Sequence, residues 1–151
     1  MEKELNISEE EYPEREIKFI IIHCTATRCD TPFTPAQLEQ AHKARGLHGT
    51  GYHFYITRDG VLHHTRPIYR IGVHTSGFNL HSIGICYEGG LSPEGQPQDT
   101  RTTFQCMALL DLIGILKKQY PKARIMGHYQ LSTDTRMLCP CFEPEKEYGN
   151  L

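Results

Sequence analysis

Short apolar strands alternating with capped helices predict an α/β domain, a central mixed β-sheet flanked by helices. Three observations carry that expectation. Lys18-Phe19-Ile20-Ile21-Ile22-His23 is an apolar run rich in β-branched residues, which marks a strand buried on both faces at the centre of a sheet. Thr34 and Thr102 each stand three residues before a glutamine at the head of a helical pattern, the signature of a capping box. Arg58-Asp59-Gly60 separates two strand-like segments and reads as the turn of a β-hairpin.

The elements follow in order. Met1 to Glu16 holds glutamate at positions 2, 4, 9, 10, 11, 14 and 16 and few apolar residues, so residues 1–16 are expected to form an acidic arm, mobile or loosely docked. Residues 17–151 then make a single domain, since 151 residues leave no room for a second. The first strand is closed by His23. A helix starts at Thr34-Pro35-Ala36-Gln37, with proline at the first helical position, and Gly46 is its expected stop. Gly51 to Thr57 alternates and is rich in aromatics, and pairing resumes with Val61-Leu62-His63-His64. Ser82 to Tyr87 is a strand ended by Gly89-Gly90, and Leu91 to Thr100 is a loop rich in Pro, Gly, Gln and Asp. The strongest helical pattern starts near Thr102, runs through Met107, Leu109, Leu110, Ile113 and Leu116, and is stopped by Tyr120-Pro121. Ala123 to Gly127 is a last short strand leading into His128, with irregular chain expected from there to Leu151.

Composition excludes several partners. Sixteen Lys and Arg against 18 Asp and Glu give a net charge of −2, which offers no electrostatic footprint for nucleic acid or an anionic membrane. No apolar run approaches the ~20 residues needed to cross a bilayer, so no membrane insertion is expected. The polar, acidic start shows no signal peptide, which points to cytoplasmic synthesis in a reducing compartment. Six cysteines are therefore expected as free thiols or metal ligands rather than disulfides.

His23 and His128 each follow a short apolar strand, and in α/β sheets ligands gather at the carboxyl ends of strands. Cys139, stiffened by Pro140, lies in irregular chain downstream. Two imidazoles and a thiolate suit Zn²⁺, and three protein ligands leave the fourth tetrahedral position open, as in catalytic zinc sites. A histidine at a strand end also serves as a packed, hydrogen-bonded residue. Spacing alone leaves both readings open.

A series of ordered segments goes further: Ile22-His23-Cys24-Thr25-Ala26-Thr27, Gly51-Tyr52-His53-Phe54, Arg58-Asp59-Gly60, Gly72-Val73-His74-Thr75-Ser76-Gly77-Phe78-Asn79, Ser82-Ile83-Gly84-Ile85, Gly89-Gly90, Gly127-His128 and Cys139-Pro140-Cys141-Phe142. From Lys18 to Phe142 the chain resembles zinc-dependent N-acetylmuramoyl-L-alanine amidases of the second type, the group that includes phage amidase-type lysozymes and peptidoglycan recognition proteins. The resemblance implies hydrolysis of the amide between the lactyl group of N-acetylmuramic acid and L-alanine of the stem peptide. It implies one Zn²⁺ per chain on His23, His128 and Cys139, the Cys-Pro-x-Phe pattern favouring Cys139 over Cys141. Tyr52 matches an active-site tyrosine that hydrogen-bonds the reacting oxygens, and His74, Asn79 and Ser82 match positions along the substrate groove. It also implies peptidoglycan or muropeptide as partner, and a place of action either on the wall after release, as for a phage or prophage endolysin, or in cytosolic wall recycling.

Two departures matter. Phage-type relatives carry a lysine two residues before the ligand cysteine, where this chain has Met137; Arg136 is the nearest cation and the expected surrogate, although its planar fork does not replace an ammonium atom for atom. The wall-recycling branch places a glutamate after Ile-Gly-Ile, where this chain has Cys86; Glu88, two positions on and on the same strand face, is the alternative base. These departures keep open a second class, a muropeptide-binding module of the same fold with little or no catalysis.

Overall fold

The computed structural model describes residues 14–134 and 138–151. Within them the chain runs β1 (Phe19–Cys24), β2 (Thr27–Arg28), α1 (Pro35–Ala44), β3 (Phe54–Ile56), β4 (Leu62–His64), a 3-10 turn (Asn79–His81), β5 (Ser82–Tyr87), β6 (Gly90–Leu91), α2 (Thr103–Gln119), β7 (Arg124–Gly127), α3 (His128–Leu131) and α4 (Pro144–Tyr148). Five strands form one sheet in the order β4-β3-β5-β1-β7. β4 is antiparallel to β3 and every other neighbour is parallel, so the sheet is mixed, as expected. β1 lies between β5 and β7, which explains its unbroken isoleucine run.

Strand alternation sorts the side chains onto two faces. Ile20, Ile22, Ile83, Ile85, Phe54, Ile56 and Ile125 join Leu109, Leu112, Ile113 and Leu116 of α2 in the main core. Each fully buried isoleucine contributes about 2 kcal/mol, so this face carries most of the apolar stabilisation. The opposite face holds a smaller cluster of Leu38 from α1 with Tyr55 and Cys86, flanked by Phe33 and Tyr52. By the same alternation His23 belongs to this second face, two residues beyond Ile21.

Both capping boxes form. Thr34 Oγ1 accepts the Gln37 N–H at 3.1 Å and Gln37 Oε1 accepts the Thr34 N–H at 2.8 Å. Thr102 and Gln105 make the same exchange at 3.1 and 2.9 Å. Gln105 also donates from Nε2 to Ile56 O and Glu88 O, so the head of α2 is tied to the ends of β3 and β5.

Several local expectations shift. β1 continues one residue past His23, to Cys24. Gly51 to His53 bends ahead of β3: the His53 N–H still donates to Gly84 O, while His42 Nδ1 accepts the Gly51 N–H and His53 Nδ1 accepts the Gly84 N–H. The Gly90–Leu91 segment pairs with Thr27–Arg28 as a separate two-stranded sheet. The chain after His128 is not wholly irregular: Gln130 Oε1 takes the Gly127 N–H at 2.8 Å and starts α3, and Pro144 at the first turn starts α4. Arg15, assigned to the arm by composition, is docked. Its guanidinium donates to the carbonyls of Ile68, Asn79, Leu80 and Ser82.

Candidate metal centre

β1 and β7 are parallel neighbours with Ile22 opposite Gly127, so the next residue of each, His23 and His128, emerges at the same sheet edge. Their ring centroids are 4.4 Å apart. Cys139 is brought in by hydrogen bonds on both sides. Tyr129 N–H donates to Cys139 O at 2.9 Å, Tyr87 Oη donates to Pro140 O at 2.6 Å, and Cys24 N–H donates to Cys139 Sγ at 3.2 Å. Among the described residues, His23, His128 and Cys139 form a group able to hold a metal ion, with one donor atom from each lying within 4.8 Å of the others.

That donor set fits zinc. Tetrahedral zinc with nitrogen and sulfur ligands needs donors ~3.3–3.6 Å apart, a contraction of about 1 Å from the widest separation here. Burial, with the neighbouring histidines adding to it, holds His23 well below the ordinary imidazole pKa, and burial also lowers His128. Both rings are therefore neutral near pH 7, the state that ligates metal. The Cys24 N–H donates to Cys139 Sγ and fixes the sulfur beside the two imidazoles. His23 is 1% exposed while His128 and Cys139 are partly exposed, so the group opens to solvent on one side only. Cys141 stands apart, donating from Sγ to Gly90 O at 3.4 Å, and all six cysteines are free thiols.

Tyr52 packs beside the group, its ring centroid 4.9 Å from that of His23. Its backbone is held by Thr65 Oγ1, which donates to Tyr52 O at 2.8 Å, and by the His42 bond to Gly51. Burial, reinforced by the nearby Cys86, Cys139 and Cys24 thiols, pushes the phenol well above its ordinary pKa, so it remains a proton donor.

The three residues expected along a substrate groove have other partners. Asn79 Oδ1 accepts the N–H groups of His74 and Thr75 at 3.0 and 2.9 Å, which fixes the loop. His74 Nδ1 lies 2.9 Å from His23 Nε2, and His74 Nε2 lies 3.4 Å from Ser82 Oγ. Ser82 is fully buried beneath His74. Glu88 is likewise no free base. Its carboxylate accepts the Phe33 and Arg58 N–H groups at 2.6 and 2.8 Å, tying the approach to α1 to the hairpin turn. Arg136 and Met137 lie outside the described residues, as does most of the acidic arm.

Sequence reasoning assigned no role to His42 or His53. Each accepts a backbone N–H through Nδ1, from Gly51 and Gly84 respectively, and His53 Nε2 donates to Arg70 O at 2.8 Å. A signal existed for His42, which shares the buried stripe of α1 with Leu38 four residues before it.

Residues 13–142 match the N-acetylmuramoyl-L-alanine amidase family. The chain is 35% identical over 129 residues to the endolysin of Klebsiella phage KP32, covering 85% of this chain and 83% of the relative. Among solved structures it superposes on the N-acetylmuramoyl-L-alanine amidase LysC from Clostridium intestinale with TM-score 0.72 and 28% identity, covering 88% and 82% of the two chains. Bumblebee PGRP-SA superposes with TM-score 0.71 and 25% identity over 92% of this chain and 87% of that one. With the family match running from residue 13 through β1, the hairpin and His128 to Phe142, this chain belongs to the N-acetylmuramoyl-L-alanine amidase family.

Proposed function

We propose that the protein is a zinc-dependent amidase that cleaves the bond between the lactyl group of N-acetylmuramic acid and L-alanine in peptidoglycan, acting on the cell wall. The convergence of His23, His128 and Cys139 donors within 4.8 Å carries the reading. The 35% identity to a phage endolysin favours intact wall as the substrate. Zinc bound there supplies Lewis acidity and lowers the pKa of a coordinated water to about 7.

The chain's own residues do the rest. His23 and His128, neutral at pH 7, would hold the metal through ring lone pairs, and Cys139 through the sulfur that the Cys24 N–H hydrogen-bonds. The raised pKa of Tyr52 keeps its proton on the phenol oxygen, where it can hydrogen-bond the oxygen that gains charge during acyl transfer. His42 and Thr65 hold Tyr52 in place from either side of its peptide. No Ser or Cys nucleophile is required.

The test is release of new L-alanine amino termini from purified peptidoglycan by zinc-loaded protein. Release that disappears with chelator and falls about 100-fold in Tyr52→Phe, with zinc content unchanged, is the expected result. If wild-type protein holds zinc and binds muropeptide yet releases no termini, the molecule is a recognition module and the catalytic reading is overturned.

A further inference from the structure

One ring nitrogen of His23 is engaged by a neighbouring histidine. Its Nε2 lies 2.9 Å from His74 Nδ1, with the rings edge to face at 89°. Thr75 Oγ1 closes the same corner, 3.0 Å from His74 Nδ1 and 3.3 Å from His23 Nε2. The His74 ring is seated in a slot with glycine on two sides. A β-carbon added at Gly84 would stand 2.6 Å from His74 Cδ2, and one added at Gly72 would stand 2.7 Å from the same atom. The loop carrying the ring is fixed by Asn79 Oδ1, and the Asn79–Ser82 carbonyls are held by Arg15.

We propose that His74 is a positioning residue for His23, accepting the His23 Nε2–H at Nδ1 and so presenting His23 Nδ1 as the metal-binding atom. This rests on the reading of His23 as a zinc ligand. The proton accounting allows one direction. If His74 donated from Nδ1 instead, His23 Nε2 would have to accept, the His23 proton would sit on Nδ1, and neither nitrogen could ligate. With His74 as acceptor, its own proton is on Nε2 and faces Ser82 Oγ at 3.4 Å. The buried Ser82 hydroxyl at the start of β5 can accept that proton, so the His74 tautomer that the His23 bond requires has a partner at its other nitrogen. Outer partners of this kind orient a ligating imidazole and raise its basicity.

The substitutions that separate this role from a substrate contact follow from atom positions. His74→Asn keeps an acceptor oxygen where Nδ1 stands, three bonds from Cα, whereas His74→Phe fills the slot and removes the acceptor. Zinc affinity, measured by competition with a chromophoric chelator, is expected to fall about 10- to 100-fold in His74→Phe and to recover most of that loss in His74→Asn. Equal zinc affinity in wild type and a folded His74→Phe overturns the proposal even if wall cleavage is lost, because His74 then acts on substrate. Failure of wild type to bind zinc overturns the metal-site reading and this proposal together. Should His74→Phe fail to fold, ¹⁵N–¹H correlation of the imidazoles in wild-type zinc protein decides: a proton on His23 Nε2 with an unprotonated His74 Nδ1 is expected, and a proton on His74 Nδ1 overturns the assignment.

Discussion

The metal group has two walls built on different terms. On the inner wall His23 is 1% exposed, backed by His74, Thr75, Ser82 and two glycines, with its Nε2 paired to His74. On the outer wall His128 and Cys139 are partly exposed. That segment is tied at its ends, by Cys24, Tyr87 and Tyr129 near Cys139, and beyond Phe142 by Arg101, which sits 3.4 Å over the Phe142 ring and pairs with Glu147 at 2.8 Å. The contrast shows where rigidity is invested. One donor is fixed by the core, and the other two complete the group from the solvent side.

Removing a ligand from each wall is the strongest way to break this comparison. His23→Ala and His128→Ala are both expected to lose stoichiometric zinc and all detectable cleavage. Their metal-free proteins should differ: His23→Ala leaves a cavity and an orphaned partner costing about 2–3 kcal/mol, and His128→Ala costs under about 1 kcal/mol. Urea unfolding of both in chelator measures the gap, and equal stabilities would erase the distinction.

Acid should attack the inner wall first. His53 is fully buried with Nδ1 accepting from Gly84 N–H, and burial lowers its pKa from 6.5 to about 4. Unfolded chains therefore take up this proton at higher pH than folded ones, so stability falls with pH between about 6.5 and 4 and levels off below that. The loss from this group is about 3 kcal/mol. His53→Asn, which keeps an acceptor for Gly84, should show a shallower decline between pH 7.5 and 4.5; parallel slopes in the two proteins would refute the assignment.

The smallest expected effect sharpens the slot. Gly84→Ala drives a β-carbon into the His74 ring and should cost about 2 kcal/mol, whereas alanine at Gly114, where nothing lies within 4 Å, should be neutral or stabilising by up to about 1 kcal/mol. Thermal unfolding of the two variants tests this directly.

Legibility in the sequence divides between local patterns and long-range pairing. The local features were legible: the isoleucine run of β1, both Thr…Gln capping boxes, the hairpin, and the three donors themselves, because each is a local pattern or a strand end. The support behind His23 was not. His74, Asn79 and Ser82 could be placed near a groove by resemblance, but their pairing depends on which strand lies beside which. His42 and His53 take their roles from the amides of Gly51 and Gly84, partners that only the folded sheet supplies. The two-residue strands β2 and β6 are too short to carry any alternation. Glu88 looked like a candidate base because strand period reports a face, not the two N–H groups that already fill its oxygens.

The distance along the chain between touching parts sets when the molecule becomes competent. Cys24 and Cys139 meet across 115 residues, and β1 waits for β7, among the last elements to be made, to cover its second edge. A nascent chain therefore makes its first donor, His23, more than a hundred residues before its third, Cys139. Products that stop short of Cys139 lack the sulfur donor, so on the amidase reading proposed above a truncated chain carries two imidazoles and no complete metal group.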